Sequence, residues 1–195
     1  MKKTLLIIFI CNFFLAYKCF SQVTAAFTIN YPALNCNPAV VSFTSSVIGA
    51  NPLNYAWNFG VTGGTNSTLH NPSTTYLNCG TFVVTLTVTN GLGQTATVSH
   101  NVTINCSPVP SFTVNPSAGC IPLGVVFTNT TTNSSGSITG YNWDFGDGTT
   151  SSTINPSHTY NTVGCKSITL TATNSFGCST TTTFPSAVCP TNRPH

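Results

Sequence analysis

The chain spells out one unit twice. AAFTINYPALNCNPAVVSFTSS returns as PSFTVNPSAGCIPLGVVFTNTT, YAWNFG as YNWDFG, NPSTTY as NPSHTY, and TFVVTLTVTNGLG as KSITLTATNSFG. Cys36, Tyr76 and Asn90 stand 84 residues before Cys120, Tyr160 and Asn174, and Trp57 stands 86 before Trp143. A period of this length is that of a whole small domain, so the sequence reads as two homologous domains in tandem. The joint falls at CSPVP, residues 106–110, where two prolines stiffen a short connection. The expected boundaries are 22–106 for the first domain and 107–190 for the second, with a tail at 191–195.

Within each unit the apolar pattern has a period of two. Phe82, Val84, Leu86 and Val88 alternate with Val83, Thr85, Thr87 and Thr89, and Ile168, Leu170 and Ala172 repeat the alternation. One face of such a strand is buried while the other presents hydroxyls to water. Tyr55, Trp57 and Phe59, like Tyr141, Trp143 and Phe145, share a single strand face. Strong helix formers are scarce, and apolar residues make up 41% of the chain. The expectation is all-β: about seven short strands per unit, separated by Gly, Asn and Pro turns, folded as a two-sheet sandwich.

Residues 1–21, MKKTLLIIFICNFFLAYKCFS, have the layout of a secretory signal peptide: Lys2 and Lys3, then an apolar stretch, then small residues before Gln22. The apolar stretch is short for a membrane span, which needs about 20 residues. Removing this segment takes away three of the five basic residues. Lys166 and Arg193 then balance Asp144 and Asp147, the only two acidic residues of the chain. Two cations cannot neutralise a run of phosphates, which excludes nucleic acid and a polybasic membrane contact.

WDFGDGTTS at 143–151, NPSHTY at 155–160, Gly164 and SITLTATN at 167–174 together resemble the polycystic-kidney-disease (PKD) domain. The first copy resembles it in a degenerate form, with WNFGVTGG in place of the hallmark but NPSTTY and VVTLTVTN retained. The resemblance implies two tandem immunoglobulin-like sandwiches of a secreted bacterial type. It also implies a non-catalytic structural, spacer or adhesion role outside the cell or at its surface. The alternatives are a polysaccharide-binding accessory protein, or the N-terminal portion of a larger surface protein or secreted hydrolase. Partners would be a protein or polysaccharide at the cell surface.

Seven cysteines follow the leader: Cys36, Cys79, Cys106, Cys120, Cys165, Cys178 and Cys189. In an exported chain they point to disulfides, and no CxxC pair suggests zinc. The topology that the resemblance implies places Cys36 near Cys79 and Cys120 near Cys165. It leaves Cys106 to bridge Cys178, and Cys189 as an odd thiol available to a covalent partner.

Asp144 and Asp147 lie three apart in a glycine-rich stretch. As a catalytic pair they lack support, because copy one has Asn58 and Val61 there and no His stands at nucleophile–base spacing. The chain is therefore read as no enzyme and as needing no cofactor. Calcium is a secondary reading of the two carboxylates, since it takes six to eight oxygens. The simpler reading is a turn whose aspartates bond nearby amides. His158 is read as a structural hydrogen-bonding residue, and Tyr76 and Tyr160 as corner tyrosines. Tyr31 and Phe176 have no aromatic counterpart in the other copy and are the candidates for ligand contact.

Overall fold

The structure, a computed structural model, describes residues 22–62 and 66–192. The expected leader at 1–21 and the end of the tail at 193–195 lie outside the described residues. Fourteen strands and no helix are found among them. The chain divides into two compact units. One holds Pro38–Ile104 with the segment that ends at Ala33; the other holds Leu34–Asn37 and everything from Asn105 on.

In the first unit, β1 (Thr24–Asn30), β2 (Ala39–Ile48) and β4 (Ser73–Tyr76) form one sheet in the order β1-β2-β4. The strands β3 (Leu53–Asn58), β5 (Gly80–Asn90) and β6 (Thr95–Ile104) form the other, in the order β3-β5-β6. All pairings between these strands are antiparallel. The alternation predicted for β5 is realised, with Val84, Leu86 and Val88 wholly buried. They pack on Phe27, Phe43, Trp57 and Phe59, which come from both sheets. Phe27 meets Trp57 edge-on at 5.0 Å, and Phe43 stacks on Phe59 at 5.4 Å. Such ring geometry adds to the burial of area.

In the second unit, β7 (Phe112–Asn115), β9 (Leu123–Asn129) and β12 (Ser157–Tyr160) make a sheet in the order β12-β9-β7. The other sheet contains β8 (Ala118–Cys120), β10 (Ile138–Asp144), β11 (Thr150–Ser151), β13 (Lys166–Asn174) and β14 (Ser179–Thr191). Its order is β11-β10-β13-β14-β8. Phe127, Trp143, Phe145, Ile168 and Leu170 fill the space between the sheets. Each buried indole finds an acceptor: Trp57 Nε1 donates to Leu69 O and Trp143 Nε1 to Thr153 O, both at 2.9 Å. An orphaned buried N–H would cost about 1–3 kcal/mol.

The outward faces carry hydroxyls in register. Thr85 bonds Ser99 at 2.8 Å and Thr171 bonds Thr181 at 2.8 Å across adjacent strands. This is how a chain with 4% charged residues covers its sheets with polar groups.

The disulfides depart from expectation. Cys36 is bonded to Cys178 and Cys165 to Cys189, Cys79 and Cys106 are also half-cystines, and Cys120 is a free thiol. The expected pairs Cys36–Cys79, Cys120–Cys165 and Cys106–Cys178 are therefore corrected, and Cys189 is not the odd residue. For Cys120–Cys165 the reason is strand order. The strand β14 lies between β8 and β13, so the two cysteines are about two strand spacings, ~9.6 Å, apart. A disulfide spans Cα atoms at about 4.4–6.8 Å. Cys189 lies on the intervening strand, next to β13, and is the partner of Cys165.

Strand register also explains why the repeat misled. The pairs Leu86↔Val98 and Phe82↔Val102 of the first unit match Leu170↔Thr182 and Lys166↔Val188 of the second. Cys165 and Cys189 thus occupy the places of Thr81 and Thr103, which are joined only by a hydrogen bond at 3.2 Å. Cys36 lies in Leu34–Asn37, which belongs to the second unit, and this brings it to Cys178 in the turn between β13 and β14.

Candidate functional site

The strand β10 ends at Asp144 and the chain turns through Gly146–Thr149 into β11. The Asp144 carboxylate accepts the Gly146 amide at 2.9 Å. Gly146 has φ +73°, and a Cβ there would run into the Ser167 carbonyl oxygen, so glycine is required twice over. In copy one Asn58 Oδ1 accepts the Gly60 amide at 2.8 Å, and Gly60 has the same φ. An amide does there what a carboxylate does here, so this turn needs the oxygen and not the charge.

Asp147 is engaged differently. Its Oδ1 accepts the Thr149 hydroxyl at 2.6 Å and the Thr149 amide at 3.1 Å, while Oδ2 pairs with His158 Nε2 at 2.7 Å. The His158 ring lies flat on Phe145 with centroids 4.5 Å apart, and its edge meets Tyr160 at 4.6 Å. Partial burial works to raise the Asp147 carboxyl. The Thr149 hydroxyl, His158 and the Thr149 amide outweigh it and hold the carboxyl below its ordinary range. The sequence reading made His158 a hydrogen-bonding residue without naming its partner. The signal was that Asp147 and His158 both stand where copy one has residues of another kind, Val61 and Thr74.

Both corner tyrosines tie back to backbone. Tyr76 donates to Phe59 O at 3.1 Å and Tyr160 to Phe145 O at 3.0 Å. Burial pushes the Tyr76 phenol up to about 12, with a smaller contribution from Tyr31. Tyr160 is raised by burial and by the charges of Asp147 and Asp144. The Asp147 carboxylate, the His158 ring and the two corner tyrosines are all engaged within the fold, and the Thr149 hydroxyl, 3.5 Å from His158 Nε2, is held by Asp147 Oδ1 at 2.6 Å. Among the described residues no group of three or more His, Cys, Asp or Glu is placed to hold a metal ion. Tyr31 and Phe176 are half-exposed, at 44% and 49%, one in each unit.

A separate feature lies on the outer side of the first unit. Asn58, Asn66, Ser67, Thr68, Thr85 and Thr87 line an open groove of about 310 Å³. One wall is formed where Ser67 pairs with Trp57. Among the described residues no charged side chain lines the groove.

The PKD domain profile matches residues 25–106 and again 105–188. The chain belongs to the PKD domain family. Its PKD sequence is 38% identical over 84 residues to the pre-pro-metalloprotease PrtV of Vibrio cholerae, covering 43% of this chain and 9% of that protein. The chain thus spans only a small part of the length of the curated relatives it matches. Among solved PKD structures, the PKD1 domain of Vibrio anguillarum Epp is 34% identical, covers 40% of this chain and 89% of that one, and has a TM-score of 0.36. The PKD1 domain of the PrtV metalloprotease is 38% identical, with 40% and 90% coverage and a TM-score of 0.35. The family and the strands together make the fold all-β, with tandem immunoglobulin-like PKD sandwiches. Among the described residues no helix is long and apolar enough to cross a membrane.

Proposed function

We propose that this chain is a non-catalytic structural or adhesion module of the cell surface or extracellular space, built from PKD units at 22–106 and 107–190. The observation that carries this reading is where the reactive side chains go. The aromatic rings of Trp57, Trp143, Tyr76 and Tyr160 are buried, and the Asp147–His158 pair braces a turn, while the outward strands display threonine and serine. Such a surface suits a spacer or a contact layer. The disulfides fit an oxidising compartment. Calcium at Asp144 and Asp147 would add rigidity and not chemistry.

The test is localisation with function. Brief protease treatment of intact cells should release peptides of residues 22–192, and deletion of the chain should lower adhesion to a coated surface. Recovery of the chain only from the cytosol would overturn the proposal.

The groove favours a second reading, in which the chain binds a neutral polysaccharide. Amides and hydroxyls without charge suit sugar hydroxyls, and the volume falls at the small end of ligand sites, about 300–1,000 Å³. Sedimentation with insoluble neutral polysaccharides should then deplete the chain from solution. Thr87→Leu in the groove or Phe176→Ala at the exposed ring should weaken that depletion at least threefold. Equal sedimentation of both variants would remove this reading.

A further inference from the structure

Cys36 and Cys120 occupy the same structural position and meet different fates. Each lies three residues before a core strand, β2 or β9. Each pairs in parallel with the last residues of its repeat, Cys36 with Asn105 and Cys120 with Thr191. The next amide bonds the same carbonyl in both: Asn37 N to Asn105 O at 3.1 Å, Ile121 N to Thr191 O at 3.0 Å. Cys36 is bonded to Cys178, whereas Cys120 is a thiol whose Sγ lies 3.6 Å from Asn192 O.

The receiving side is a specific turn. Asn174 Oδ1 accepts the amides of Phe176 and Cys178, both at 3.1 Å, and shapes the sequence NSFGC. Asn174 Nδ2 donates to Cys106 O at 2.9 Å, and Gly177 is packed so closely that a Cβ would sit 3.1 Å from Leu34 Cδ2. Cys36–Cys178 is thus one element of a fitted socket within the second unit. The first repeat builds the same turn, with Asn90 Oδ1 accepting the amides of Leu92 and Gln94 at 3.0 Å. Its sequence is NGLGQ, and Gln94 stands where Cys178 would. Both repeats therefore carry the donating cysteine, and only the second carries the receiving one. The first repeat's donor is used and the second repeat's donor is not.

We infer that Cys120 is an assembly thiol, placed to form a disulfide with a further PKD-type module that carries an Asn-x-x-Gly-Cys turn equivalent to Asn174–Cys178. The carbonyl of Asn192, equivalent to that of Cys106, takes the amide of the incoming turn's asparagine. The oxidant is a small-molecule or protein disulfide. The Cys120 thiolate attacks one of its sulfurs, and its S–S bond breaks with loss of one thiolate. The incoming cysteine's thiolate then attacks the Cys120 sulfur and expels the second. Two thiol protons pass to the two leaving thiolates, and the oxidant is reduced by two electrons.

The decisive experiment extends the full chain after Asn192 with a second copy of residues 107–192, which repeats the native joint, with Cys120→Ser in the added copy alone. After oxidation in a glutathione buffer, peptide mapping without reduction should find the native Cys120 joined to the added copy's counterpart of Cys178, with neither thiol alkylatable. An alkylatable Cys120 beside a formed Cys165–Cys189 bond in the added copy, which reports that the copy has folded, would overturn the inference. Oxidised glutathione on the native folded chain decides the case in which that bond does not form. One glutathione at Cys120, absent in Cys120→Ser, supports the assignment, and an unmodified Cys120 refutes it.

Discussion

Replacing Gly146 by alanine measures how far the turn after β10 depends on close backbone approach. Two effects act at this position. The first is conformational: an L-residue held at φ +73° costs about 1–2 kcal/mol. The second is steric, because the new methyl would collide with the Ser167 carbonyl on β13, so turn and strand must separate. That separation strains the Asp144–Gly146 bond and the Tyr160 bond to Phe145 O, each worth about 1 kcal/mol. The total for Gly146→Ala is about 3–4 kcal/mol. Gly148 is the control: its φ is +89°, but nothing lies within 4 Å of a Cβ there, so Gly148→Ala carries only the first effect. With about 4–8 °C per kcal/mol for a domain of this size, the two variants should melt about 8–16 °C apart. Thermal unfolding followed by tryptophan fluorescence in a Trp57→Phe background lets Trp143 report the second unit alone. Equal melting temperatures for the two variants would refute the steric half of the reasoning.

Asp147 gives a pH dependence of known sign. Its folded carboxyl is held below the unfolded value of about 3.8, so its contribution is present above that pH and is lost as pH falls through the folded value. With the two side chains 16% and 19% exposed, this is about 1 kcal/mol. Denaturation midpoints of the native chain and Asp147→Asn should differ at pH 6 and converge near pH 2. Tyr76→Phe and Tyr160→Phe each leave a buried carbonyl without its donor and should cost about 1–3 kcal/mol in urea unfolding. Because the Tyr76 phenol is raised to about 12, its bond stabilises below the unfolded value near 10 and is lost as pH rises through 12. Alkaline difference absorbance should show that tyrosine titrating late. Replacing Cys165 and Cys189 together by threonine recreates the Thr81–Thr103 pair of the other repeat. The chain should still fold, with the midpoint of the second unit lowered by about 3 kcal/mol for the lost 24-residue closure.

Much of the fold was legible because it rests on local periodicity. Inward Val84, Leu86 and Val88, the paired aromatics on β3 and β10, and the corner tyrosines follow from alternation and repeat alone. The internal repeat also showed that a carboxylate at Asp144 was replaceable, and Asn58 in the same geometry bears this out. The partners of Asp147 and of the cysteines were not legible. Asp147 meets His158 because the turn after β10 folds over β12, which belongs to the opposite sheet. A two-residue bulge in the β13–β14 pairing moves Cys189 opposite Cys165. The parallel pairing of β8 with β14 places that strand between Cys120 and Cys165. The sequence alone determined which residues are buried, because burial follows from a period of two along each strand. Which sulfur bonds which was decided only in three dimensions, because a disulfide depends on distances of a few ångströms between strands, and a shift of register changes them by more than the bond can span.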